Sequence, residues 1–162
     1  MDCEGFGGMD ENENHDTRIF LFAVLLSSYF IYNSLGSIDE NALSSLSLVL
    51  NLAKDIRSKM GSGSSAGDAN VIENFPSLLW VVRDFSLRME DENGNPITSK
   101  QYLENALMDV KGLSEAAENK NRVRSLLKHF FRDRDCCTMI RPVELENDLQ
   151  KLDTLPEKYL RP

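Results

Sequence analysis

The sequence predicts an α/β domain of three layers around a mostly parallel sheet, and three features carry that expectation. Leu78 to Val82 is a continuous apolar run, the pattern of a strand buried on both faces. Helical patterns with clear start signals lie on either side of it, and helix, buried strand, helix is the alternation of a parallel sheet. At 162 residues and 41% hydrophobic content there is material for one core and too little for two comfortable ones. Residues 1–162 are therefore expected to form one domain.

The elements follow in order. Ile19 to Tyr32 (IFLFAVLLSSYFIY) is too short for a membrane span, which needs roughly 20 apolar residues. Its acidic, Gly-rich flank is also unlike that of a signal peptide. It reads as a buried helix, capped by Asp16 or Thr17 and ending near Ser27, followed by a strand over Tyr29 to Tyr32. Ser37-Ile38-Asp39-Glu40 has the spacing of a capping box. Behind it Ala42, Leu46, Val49, Ala53, Ile56 and Met60 form one apolar stripe, with Gly61 as the stop. Gly61 to Asn70 reads as a flexible Gly/Ser connector, because its glycines do not fit a dinucleotide fingerprint and it follows a helix.

After the Leu78 to Val82 strand, Glu90 to Pro96 is an acidic surface turn, and Thr98 to Gln101 is a second capping box. It opens a helix carrying Tyr102, Leu103, Ala106, Leu107 and Val110. A further helix is expected from Asn119, with Val123, Leu126, Leu127, Phe130 and Phe131 on its apolar side, then a third strand over Cys136 to Ile140. Leu149, Leu152 and Leu155 are expected to be lightly packed.

A net charge of −8 argues against partners that demand a basic surface, namely nucleic acid and anionic lipid. A phosphate-bearing small ligand stays open, since such sites are built locally. Cys3, Cys136 and Cys137 show no metal-ligand spacing and read as reduced thiols, which favours a cytoplasmic setting.

Two short motifs carry chemistry. In an open parallel sheet, ligands bind beyond the carboxyl ends of the strands, and Arg83-Asp84 sits at such an end. A carboxylate there accepts hydrogen bonds from the ring N–H and exocyclic amine of guanine, whereas adenine would leave it unpaired. The arginine can stack on the base or brace the loop; the competing reading is a surface Arg-Asp pair closing a strand. In Asp2-x-x-Gly5 the aspartate can orient a Mg²⁺-bound water, and the glycine amide can approach a γ phosphate. Here the competing reading is a frayed acidic N-terminus, because only Met1 precedes Asp2. No Gly-Lys pair occurs, so the G-x-x-x-x-G-K-[ST] loop is not in these residues.

Taken together, DCEGFGG, DTRIFLFAVLLSSYFIYNSLGSIDENAL, FPSLLWVVRDFSL and FFRDRDCCTMIRP, in this order, resemble the guanylate-binding protein family of large dynamin-related GTPases over nearly the whole chain. The tail DLQKLDTLPEKYLRP is more similar to plant and protist members. The resemblance implies a P-loop-NTPase-like (Ras-like) fold whose first strands and P-loop lie outside these residues, and GTP or GDP bound with Mg²⁺. It implies that Asp2 belongs to the Mg²⁺ shell through water, that Glu4 organises the water network near the γ phosphate as the catalytic residue, and that Gly5 faces that phosphate. Arg83 and Asp84 match the guanine reader, and Arg141 and Pro142 lead into the cap over the base. It further implies GTP hydrolysis and homodimerisation across the nucleotide face.

Without the P-loop and the arginine finger, worth roughly 10³ to 10⁵ in rate, turnover by these residues alone is expected to be negligible. The Tyr29 to Tyr32 strand is expected to lack a neighbour and to associate through an apolar edge. Two function classes follow: a GTP-binding and GTP-hydrolysing domain represented in part, or a non-catalytic interaction module that dimerises with or modulates full-length GTPases.

Overall fold

The computed structural model describes residues 13–60 and 75–161. Its elements are α1 (Glu13–Leu26), β1 (Tyr29–Leu35), α2 (Glu40–Met60), β2 (Ser77–Arg83), α3 (Ser99–Ala106), α4 (Glu115–Phe130), β3 (Arg134–Thr138), the single turn α5 (Glu146–Leu149) and a 3₁₀ turn over Glu157–Tyr159. The strands form one sheet in the order β1-β2-β3, with both pairs parallel. The α/β class and the parallel sheet agree with the alternation in the sequence.

Several boundaries move. α1 begins at Glu13, ahead of Asp16 and Thr17. The α2 cap is Asp39, whose Oδ1 accepts from the Ala42 amide at 2.8 Å; the expected Ser37 box does not form. Its Glu40 turns instead to Arg124. Of the expected stripe Leu46 is fully buried and Ala42 half-buried, and Leu43, Ser47 and Leu50 are buried with them. The side chains of Val49, Ala53, Ile56 and Met60, and the Gly61 to Asn70 connector, lie outside the described residues.

Further along, the second capping box is present as read: Thr98 Oγ1 accepts from the Gln101 amide (3.2 Å), and Gln101 Oε1 accepts from the Thr98 amide (2.7 Å). α3 nonetheless ends at Ala106, short of Val110. α4 starts earlier than Asn119, capped by Ser114, whose Oγ accepts from the Ala117 amide at 3.2 Å. β3 lies two residues ahead of the expected strand because its register on β2, Leu78 with Arg134 through Val82 with Thr138, brings Arg134 into the ladder. That arginine is held by Glu104 (2.7 Å) and the Phe131 carbonyl (2.9 Å).

Paired residues of parallel strands share a face, so Phe30, Tyr32 and Ser34 stand beside Leu78, Trp80 and Val82, and these beside Arg134, Cys136 and Thr138. Helix contacts gather on this face: Phe20 of α1 meets Phe30 and Tyr32 edge-on at 5.1 and 5.9 Å, and Phe131 stacks on Phe30 at 6.2 Å. Trp80 is fully buried there, edge-on to Tyr32 at 4.8 Å, its indole N–H donating to Ser34 Oγ at 2.9 Å. Burial raises the Tyr32 hydroxyl above its ordinary value, with Asp39 adding to the effect. Desolvation pushes the buried Cys136 thiol up to about 12, which leaves it unreactive.

Among the described residues no helix covers the opposite face, so the third layer expected is not among them. Tyr29, Ile31 and Leu35 are 54%, 57% and 64% exposed, Leu79 and Val81 are half-buried, and Cys137 is exposed. β2 is thus buried on alternate residues, not on both sides, because the described helices cover one face only. An apolar, uncovered face on a parallel sheet favours association. Ile31→Lys combined with Leu35→Lys is expected to weaken self-association about 10²-fold, the effect of two lost apolar contacts of roughly 1.5 kcal/mol each, while leaving the fold intact. Sedimentation over a concentration series checks this; a wild-type chain that stays a monodisperse monomer with a cooperative melt would refute it.

One polar knot ties the helices. Arg124, buried on α4, donates to the Ala106 carbonyl (3.1 Å), to the Lys120 carbonyl (3.2 Å) and through both terminal nitrogens to Glu40. The hydrogen bond from Arg124 is the chief reason the Glu40 carboxyl lies below its ordinary range. Two carbonyls and a carboxylate satisfy the guanidinium that burial strips of water.

Candidate functional site

The carboxyl ends of β2 and β3 open on a cleft of about 630 Å³ lined by Asp84, Phe85, Thr138, Ile140, Arg141 and Arg161, among others. That volume lies within the range of small-molecule sites. Asp84 is exposed and takes φ +52°, the left-handed region that aspartate and asparagine enter more readily than other side-chain-bearing residues. Both flanking peptides are tied: the Arg83 carbonyl accepts from the Gly36 amide (2.7 Å), and the Phe85 amide donates to the Met139 carbonyl (2.9 Å). The Met139 amide in turn donates to the Val82 carbonyl at 2.8 Å. Gly36, at φ +75°, makes the turn that brings its N–H onto β2.

Asp84 and Arg141 both line this cleft. Arg141 is held by Glu146 at 2.6 Å, while its Nε–H, shut off from solvent, meets no acceptor among the described residues. Arg83 does not line the cleft. Its Nε donates to Asn33 Oδ1 at 2.9 Å, on the uncovered side of the sheet. Pro142 enters only through its carbonyl, which accepts from the Arg161 amide at 2.8 Å. Asp2, Glu4 and Gly5 lie outside the described residues.

Arg161 was not foreseen. Its guanidinium is held by Glu144 at 2.6 Å, and the returning tail places it on the cleft wall. Nothing in the local sequence marks it, because a tertiary return brings it there.

Among the described residues no group of three or more His, Cys, Asp or Glu could hold a metal ion. No described helix is long and apolar enough to cross a membrane.

The model of the guanylate-binding protein N-terminal domain matches residues 1–162. The chain belongs to the guanylate-binding protein family. It is 40% identical to human guanylate-binding protein 4 over 163 residues, covering 99% of this chain and 25% of that protein. It is 40% identical to mouse guanylate-binding protein 2 over 163 residues, 99% of this chain and 27% of the relative. It is 37% identical to guanylate-binding protein 1 of Chlorocebus aethiops over 165 residues, 100% of this chain and 28% of the relative. The chain thus spans about a quarter of the length of these guanylate-binding proteins.

Proposed function

We propose that this chain supplies the guanine-recognising part of a large GTPase domain that binds and hydrolyses GTP. The observation that carries the reading is Asp84, exposed in a left-handed turn at the carboxyl end of the central strand and facing a cleft it shares with Arg141. Its carboxylate accepts from the N1–H and 2-amine of guanine, two donors that adenine does not offer together. Arg83, on the uncovered sheet side with Asn33, braces the loop. Arg141 and Pro142 begin the segment that folds over the base, and Arg161 closes the same wall.

The phosphate end is assigned to the first residues. Asp2 holds a Mg²⁺-bound water, Glu4 orders the attacking water, and Gly5 lets a backbone amide approach the γ phosphate. Mg²⁺ would supply charge neutralisation across the phosphates. No G-x-x-x-x-G-K-[ST] loop occurs in these 162 residues, so hydrolysis would be the property of a complete GTPase domain, acting in the cytoplasm as a dimer across the nucleotide face.

NMR titration of the chain with GDP and with ADP tests the reading. GDP is expected to move the amide signals of Asp84, Phe85 and Arg141, ADP to leave them in place, and phosphate release from GTP to stay at background. Equal shifts with both nucleotides would remove guanine recognition. The exposed apolar face of β1 and β2 favours a second reading, an interaction module that docks on full-length GTPases. Binding to such a GTPase with no response to GDP would favour it.

A further inference from the structure

The turn at Asp84 has a keystone outside the cleft. Tyr102, on the first turns of α3, accepts the Ile38 amide on its hydroxyl at 3.0 Å and sets its ring against Phe85 at 5.2 Å, edge-on. Ile38 lies in the segment between β1 and α2, and Phe85 is the residue after Asp84. Phe85 is buried, and its own amide bonds the Met139 carbonyl beyond β3. The preceding peptide is tied to Gly36 of the same β1 exit. Tyr102 therefore touches one residue from each side of the Asp84 turn's anchorage, Ile38 in the segment that holds Gly36 and Phe85 itself.

The start of α3 is anchored to the third strand as well, since Ser99 Oγ and Thr138 Oγ1 share a hydrogen bond at 2.9 Å. The exits of all three strands thus rest on one short helix, and Tyr102 is the residue that touches two of them. A side-chain-bearing residue stays in the left-handed region only when its surroundings over-determine it. Phenylalanine would supply the ring contact alone; the hydroxyl adds a second link from the β1 exit, at Ile38, beside the direct hydrogen bond of the Gly36 amide to the Arg83 carbonyl.

We propose that Tyr102 is a positioning residue that sets the Asp84 turn and couples it to the segment at Gly36 to Asp39. For guanine selectivity this rests on the function proposed above; the coupling itself does not. Amide hydrogen exchange of the chain without nucleotide tests the coupling. Tyr102→Phe keeps the ring, and it is expected to speed exchange about tenfold at Ile38 and about threefold at Phe85, leaving the Trp80 and Leu103 amides unchanged. A merely structural role would speed all four together.

Unaltered exchange at Phe85, or uniform acceleration, would overturn the inference. The second readout is base preference. Inosine keeps the N1–H and lacks the 2-amine that would donate to Asp84, so Tyr102→Phe is expected to weaken GDP more than IDP and to reduce the preference for GDP about threefold. An unchanged ratio overturns the positioning role in selectivity. Absence of any GDP response in the wild-type chain would remove the proposed function instead, and the exchange result would still decide the coupling.

Discussion

Asp84→Asn is expected to exchange guanine preference for xanthine preference. The carboxylate presents two acceptors to a base edge with two donors, N1–H and the 2-amine. An asparagine amide presents one acceptor and one donor, so the 2-amine of guanine would face an N–H₂ group. Xanthine carries a carbonyl at that position and fits the amide. Losing one hydrogen bond to a charged group and facing donor against donor costs roughly 1.5–3 kcal/mol, or about 10- to 10²-fold in GDP affinity. Asparagine tolerates a φ of +52° as aspartate does, so the turn itself is expected to persist. Titration of both chains with GDP and with xanthosine diphosphate measures the exchange. Undiminished GDP binding by the variant would show that Asp84 does not read the base.

The largest loss of stability is expected from Trp80→Ala. Trp80 sits in the middle of the central strand with no exposed surface, and truncation would leave a cavity between Tyr32 and Cys136 and strand the Ser34 hydroxyl. Such substitutions cost about 3–5 kcal/mol, a large share of the roughly 5–15 kcal/mol that holds a domain together. Trp80→Phe, which keeps most of the volume, is expected to cost about half as much or less. Urea unfolding followed by circular dichroism compares the three chains. A loss below about 1 kcal/mol for the alanine variant would mean that β2 is not the centre of the core.

The sequence was most legible where the chemistry is local. Thr98 and Gln101 form their reciprocal cap because both partners lie within one turn. Ser37 and Glu40 have the same spacing and do not, because Asp39 caps the helix and Arg124, 84 residues away, claims the glutamate. β3 could be placed only to within two residues, since its register is fixed by hydrogen bonds to β2 and not by its own residues. In the cleft, Asp84 was marked by the Arg83-Asp84 motif, and Arg141 only by the resemblance to the family. Tyr102 read as a helix core residue and Arg161 as tail, and each acquires its place through contacts that arise only in the folded chain.

The all-parallel sheet constrains how this chain acquires its shape. β1 meets β2 only after the polypeptide has passed through α2, and β2 meets β3 only after α3 and α4. No pair of adjacent strands among the described residues can nucleate as a hairpin, so loop closure must precede these ladders, and helices are expected to form ahead of the sheet they flank. Until the last closure, the aromatic and branched strand residues stay available to other chains, which places the hazard of misassembly in the folding pathway itself.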